Sequence, residues 1–159
     1  MNQRMRNKIA GAIYGFAIGD AMGATTEFMT AEQIRKKYGK VTDIIGGGWL
    51  ELKPGEITDD TQMTMCVMNA IMRKPKTVEQ FIKYCEKNFI VWVNSRPKDI
   101  GAQCARAIHG LMFGQKTPID NHACGNGSLM RAMPMAVLGL PFYNIMQGRI
   151  THNNQECSN

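Results

Sequence analysis

The stretch "ITDDT" at residues 57–61 places three hard oxygens, from Thr58, Asp59 and Asp60, at consecutive positions. On the body of a helix, adjacent side chains point about 100° apart. In a first turn they converge, and such a set suits a hard cation such as Mg²⁺ or Mn²⁺. The same residues also make an ordinary helix start, with a threonine or aspartate cap and acids that favour the helix dipole. A second stretch, "GNGSLMR" at 125–131, sets glycines around Asn126 and puts Ser128 ahead of an apolar run. It reads as a flexible loop opening a helix whose free N–H groups suit a phosphate. The alternative is a glycine-rich turn with a serine cap. No lysine follows as in a Walker loop, and the pattern is not G-x-G-x-x-G. In "THNN", 151–154, His152 near a helix start is either a contact for phosphate or ribose, or a structural histidine.

The elements that must position these residues read as helices. "GAIYGFAIGDAMG", 11–23, carries glycine at 11, 15, 19 and 23 within a helical pattern over 6–22. Three interior glycines cost roughly 2–3 kcal/mol relative to alanine. At this spacing they drift by about 40° per step and trace a winding groove open to close approach by another segment. Such a helix brings Asp20 to the edge of a cleft, or uses it as an anchoring acid. Thr30 with Gln33 makes a capping box, and Gly39 stops the helix that follows. Residues 40–57 read as a Gly/Pro-rich loop with room for a small hairpin. Further helices start near Thr58 or Asp59, at Thr77 (capping box with Gln80) and over 99–113. Another covers "LMRAMPMAVLG", with Pro134 in its first turn or at a kink. Met63, Met65, Met68 and Met72 read as core filler, and His109 and His122 receive no role.

Composition narrows the class. The chain has 159 residues, 44% hydrophobic and 20% charged, with a formal net charge of +6. That is an ordinary globular balance with one sizeable core. Its short basic clusters read as solvated faces with general attraction for anions, without the aromatic interleaving of a nucleic-acid groove. Five cysteines, an odd number without a CxxC pair, support neither a disulfide framework nor a zinc site. They fit a reducing cytoplasm. The N-terminal stretch imitates a signal peptide, but Asp20 interrupts it well short of the roughly 20 apolar residues of a span. Neither nucleic acid nor membrane is an expected partner.

Together and in order, "GAIYGFAIGDAMGATTE", "ITDDTQM", "GNGSLMRAMPMAV" and "ITH" resemble the ADP-ribosylglycohydrolase family, from about residue 9 to 152. The resemblance implies an all-α, orthogonally packed helical domain with two Mg²⁺ or Mn²⁺ ions in a cleft. It implies removal of ADP-ribose from arginine, serine or another acceptor, or cleavage of a related ADP-ribosyl linkage. Thr58, Asp59 and Asp60 match its metal ligands, and Glu27 matches a glutamate near the metals and the scissile bond. With Asp59 and Asp60, Glu27 makes up the implied catalytic set. Asn126, Gly127 and Ser128 match a loop that holds ribose and pyrophosphate, and His152 matches a ligand-contacting histidine. Asp20 falls in the glycine-rich signature as an architectural acid. The implied partners are an ADP-ribosylated protein or an ADP-ribose-containing small molecule.

One departure is large. The family is about twice this length, and its later half supplies an Asp-x-Asp-Thr/Ser element that completes both metal sites. No such element follows Thr61 here. The expectation is therefore one ADP-ribosylglycohydrolase-like domain over 1–159 that lacks the usual C-terminal half and leaves apolar patches exposed. It is a fragment, a truncated product, or a half-protein completed by an oligomer or a second chain. A non-catalytic ADP-ribose binder is the alternative function.

Overall fold

The computed structural model describes residues 2–155; Glu156 and Cys157 of the sequence reading lie outside them. The chain is all-α, as the resemblance implies. The helices are α1 (Gln3–Gly23), α2 (Ala31–Tyr38), α3 (Asp59–Met72), α4 (Val78–Asn94), α5 (Ala102–Met112), α6 (Met133–Leu138) and α7 (Pro141–Gly148), with a 3-10 helix over Asn126–Arg131. Among the described residues there is no strand, only an isolated antiparallel bridge between Gly47 and Leu52 in the long loop. No described helix is long and apolar enough to cross a membrane. The chain divides into two compact units, the first running to Thr61 and the second starting at Gln62, within the first turn of α3.

In the first unit, local chemistry sets the helix ends. The Asn2 side chain accepts from the Met5 amide to start α1. Thr30 and Gln33 cap α2 reciprocally, and Gly39 ends it at φ +68°. An added Cβ at Gly11, Gly15, Gly19 or Gly23 would meet nothing within 4 Å. Among the described residues, the spaced glycines therefore serve no close helix approach; Gly15, Gly19 and Gly23 instead line an open cavity. Tyr14 and Ile18 of α1 are exposed, as are Phe28 and Trp49 further along.

The second unit holds the hydrophobic core. Met63, Val67 and Ala70 of α3 meet Phe81, Cys85, Phe89 and Trp92 of α4, with Cys104 and Ile108 of α5 joining them. The α4 residues recur every three or four positions, which is the one-sided stripe that drives helix packing. Thr77 accepts from the Gln80 amide as expected, but Gln80 reaches back to the Lys76 amide rather than to Thr77. Buried polar bonds fix the helix register: the Trp92 indole donates to Gln62 at 2.7 Å, and Asn88 donates to the Cys66 carbonyl at 2.8 Å. Burial pushes the Cys66 thiol up to about 11 and the Cys85 thiol to about 12, so both behave as small hydrophobes rather than nucleophiles.

Residues 125–138 depart from the sequence reading. The expected loop-to-helix start at Ser128 is a 3-10 turn over Asn126–Arg131, and Pro134 sits in the first turn of a separate α6. An α-helix cannot run unbroken through Pro134, which has no amide hydrogen for the Met130 carbonyl, and the turn before it is gripped by Arg131. Its Nη1 donates to the Gly127 carbonyl at 2.6 Å, the oxygen that an α-helix would offer to the amide of residue 131. Ser128 is consequently inside the turn and buried, as is Gly127, while Asn126 is exposed. Helix α7, with Pro141 in its first turn, is an element the sequence reading did not assign.

Candidate functional site

In the first unit, the Asp20 carboxylate gathers the start of α3. Asp20, in the last turn of α1, accepts through Oδ2 from the amides of Thr58 (3.0 Å) and Thr61 (3.2 Å) and from the Thr61 hydroxyl (2.6 Å). Its Oδ1 accepts from the Thr58 hydroxyl at 2.6 Å. Amides in the first turn of a helix lack intrahelical partners. Here a carboxylate borrowed from α1 satisfies two of them and places negative charge at the favourable end of the α3 dipole. Thr58 itself contributes only a long cap, accepting from the Asp60 amide at 3.4 Å.

Asp20 thereby releases the "TDD" residues from much of the capping role that their types suggest. Thr58, Asp59 and Asp60 line a cavity of about 460 Å³, together with Glu27, Asp20 and the glycine face of α1. Asp59 is only 8% exposed. Because the Thr58 proton points to Asp20, its oxygen keeps lone-pair capacity. Two carboxylates and a hydroxyl are the donor chemistry of a hard divalent cation, and in that respect the residues fit one. Among the described residues no group of three or more His, Cys, Asp or Glu side chains converges on a metal position.

Glu27 is held by a residue the sequence reading passed over. The Trp49 indole N–H donates to Glu27 Oε2 at 2.8 Å, and the Trp49 ring lies 5.5 Å from that of Phe28. The loop that delivers Trp49 docks on the turn after α1. The Thr25 hydroxyl donates to the Gly46 carbonyl at 3.0 Å, and a Cβ on Gly48 (φ +70°) would lie 2.3 Å from the Ala24 carbonyl oxygen. The signal in the sequence was "GGGW": a glycine run able to take positive φ, directly before a large aromatic residue with a single donor.

In the second unit, the other expected contacts come together around Arg131. A Cβ on Gly127 would lie 2.8 Å from His152 Cε1 and 2.7 Å from Cys104 Sγ, so the imidazole packs directly against the "GNGS" turn. Arg131 is fully buried. Its guanidinium donates to the side chain and backbone of Gln147, to the Gly127 carbonyl and to the Thr151 hydroxyl. The Phe89 ring lies 4.7 Å beneath it. Among the described residues no carboxylate pairs with it, so dipoles and a π face hold the charge. Burial, and the Arg131 charge next, push His152 down to about 4, leaving a neutral imidazole. The sequence signal for Arg131 was a lone charge in the apolar run "SLMRAMPMAV".

Comparison with known proteins agrees with this arrangement of motifs. The family model described as ADP-ribosylglycohydrolase matches residues 1–159. The ADP-ribosyl-dinitrogen reductase glycohydrolase of Rhodospirillum rubrum is 40% identical over 158 residues, covering 94% of this chain and 53% of that protein. The ADP-ribosylarginine hydrolase Tri1 of Pseudomonas putida is 31% identical over 170 residues, covering 96% of this chain and 43% of that protein. A solved ADP-ribosylglycohydrolase-related protein complex shares the fold, with a TM-score of 0.77 at 24% identity over 99% of this chain and 53% of the solved one. The chain spans about half the length of the curated relatives it matches. With the family model matched from end to end, this chain belongs to the ADP-ribosylglycohydrolase family.

Proposed function

We propose that this chain carries the N-terminal machinery of a hydrolase that cleaves an ADP-ribosyl glycosidic bond, on a modified protein side chain such as arginine or on a related small molecule. The observation that carries the reading is the cavity lined by Glu27, Thr58, Asp59 and Asp60, in which Asp20 anchors Thr58. The relatives named as ADP-ribosyl and ADP-ribosylarginine hydrolases support the substrate class.

Thr58, Asp59 and Asp60 are the residues that would hold Mg²⁺ or Mn²⁺, with two ions in the complete site. A bound cation supplies Lewis-acid polarisation and orientation of oxygen ligands. Cleavage at the anomeric carbon develops oxocarbenium character; the part of Asp59 and Asp60 is to hold the cation. Glu27 moves a proton through Oε1, because Oε2 is occupied by the Trp49 indole. Asn126, Gly127, Ser128 and His152 bind the ADP-ribose moiety through neutral donors.

The test is release of ADP-ribose from an ADP-ribosylarginine peptide by the full-length protein, with and without chelator. The expected result is Mg²⁺- or Mn²⁺-dependent turnover that is lost in Asp59→Ala/Asp60→Ala while the helical circular dichroism persists. Turnover unchanged by chelator and by that variant would overturn the assignment. ADP-ribose binding without any turnover would convert it to a binding module.

A further inference from the structure

Thr151 stands between two buried groups of unequal hydrogen-bonding ability. Arg131 can only donate, and its Nη2 lies 2.7 Å from Thr151 Oγ1, so the hydroxyl oxygen accepts there. On the other side, Oγ1 lies 2.9 Å from His152 Nδ1. Thr151 has no exposed surface, and its hydroxyl has no third partner among the described residues. If Nδ1 carried the hydrogen, the hydroxyl would accept twice and its own proton would be buried without an acceptor. An unmade buried hydrogen bond carries the full desolvation cost of the group. With Nδ1 bare, every atom in the chain is satisfied: Arg131 donates to Thr151, and Thr151 donates to His152.

The remaining nitrogen, Nε2, then holds the hydrogen. It has no protein partner among the described residues, yet no buried nitrogen or oxygen lacks one, so Nε2 keeps an opening to solvent. It lies against the glycine turn, 3.4 Å from the ideal Cβ position of Gly125. The same guanidinium that orders Thr151 also grips the Gly127 carbonyl at 2.6 Å. Turn and imidazole are thus referenced to one buried cation.

We propose that Arg131 and Thr151 are positioning residues that lock His152 as a neutral imidazole protonated at Nε2, so that it offers a hydrogen-bond donor, and never a base, to an acceptor oxygen of ADP-ribose. The ligand half of this statement rests on the function proposed above; the tautomer half does not. The depressed proton affinity of His152 agrees with it, since burial and the Arg131 charge both disfavour a second proton. The arrangement gives a use to a buried arginine that no described carboxylate pairs: its charge, relayed through a hydroxyl, fixes which edge of a ring a ligand meets.

The experiment is long-range ¹H–¹⁵N correlation on protein labelled at histidine, with His152→Gln used to assign the signal. The wild type is expected to show the Nε2–H tautomer at neutral pH. Thr151→Val, similar in shape but without the hydroxyl, is expected to release the lock into mixed tautomers and to weaken ADP-ribose binding by about tenfold. Thr151→Ser is expected to restore both. An Nδ1–H signal in the wild type, or a folded Thr151→Val protein with the tautomer unchanged, overturns the proposal. If Thr151→Val does not fold, the wild-type and serine spectra decide between the two tautomers. An Nε2–H signal in a protein that ignores ADP-ribose removes the ligand assignment, and the proposed function with it, while the lock stands.

Discussion

The carboxylate of Asp20 lies 2.6 Å from the hydroxyl of Thr58 and 3.0 Å from its amide. A residue in the last turn of one helix thereby caps another, through Thr58, 38 positions later and just ahead of α3. An acid at a helix C-terminus is opposed by its own dipole; the first-turn amides of α3 offset that cost. Asp20→Ala leaves two amides and two hydroxyls without their acceptor and is expected to destabilise the fold by about 3 kcal/mol. Urea denaturation checks this, with Asp20→Asn falling between wild type and alanine. A variant as stable as wild type would show that water replaces the carboxylate freely.

Trp49 holds one oxygen of Glu27 and leaves the other to the cavity. Trp49→Phe removes the N–H donor and keeps an aromatic ring beside Phe28, so turnover is expected to fall by about tenfold. Because Trp49 is half exposed, the unfolding midpoint is expected to change little. Steady-state kinetics beside thermal melts separate the two effects. Glu27→Gln is expected to lose far more activity than Trp49→Phe.

Gly127 has no room for a methyl group. A Cβ there would sit at 2.7 Å from Cys104 Sγ and 2.8 Å from His152 Cε1, both on buried side chains that cannot swing into water. Gly127→Ala is expected to cost about 1–3 kcal/mol through overpacking and to weaken ADP-ribose binding by displacing the imidazole. Denaturant melts and calorimetric titration with ADP-ribose measure the two losses. Gly125→Ala, whose Cβ would meet His152 Nε2 at 3.4 Å and nothing closer among the described residues, is expected to leave stability almost unchanged and to affect binding.

His152 links stability to pH with a definite sign. Its proton affinity falls from the ordinary value near 6.5 to about 4 in the folded chain, so the unfolded state binds the proton more readily. The contribution is therefore complete above about pH 6.5 and is lost as pH falls through the window from 6.5 to 4. The limiting loss is about 3 kcal/mol. Urea midpoints measured at pH 7.5 and 4.5 are expected to separate more in wild type than in His152→Gln, where other titrating groups act equally. Equal separations would show that His152 does not carry this linkage.

The sequence by itself determined the all-α class, most of the helix starts and the identity of the family. These are local properties. Thr30 with Gln33, the glycine at 39 and the three-or-four spacing of Phe81, Cys85, Phe89 and Trp92 act within one or two helical turns, and their types state their roles. It also marked the residues able to do chemistry, because Thr58, Asp59, Asp60, Glu27 and the "GNGS" run carry hard oxygens or bare backbone whatever surrounds them. Tertiary structure alone decided which hydrogen-bond partners each would meet. The acid that meets the capping demand of "ITDDT" arrives from α1, where Asp20 accepts from the Thr58 and Thr61 amides. Likewise the apolar run after Ser128 promised an α-helix. In the fold its first part is a 3-10 turn beside a buried histidine, with the Arg131 guanidinium bonded to Gln147 and Thr151, sixteen and twenty residues away. Hydrogen-bond demand is written in the residue types, but the partner that meets it is chosen by chain segments far apart in sequence, and only folding brings them within 3 Å.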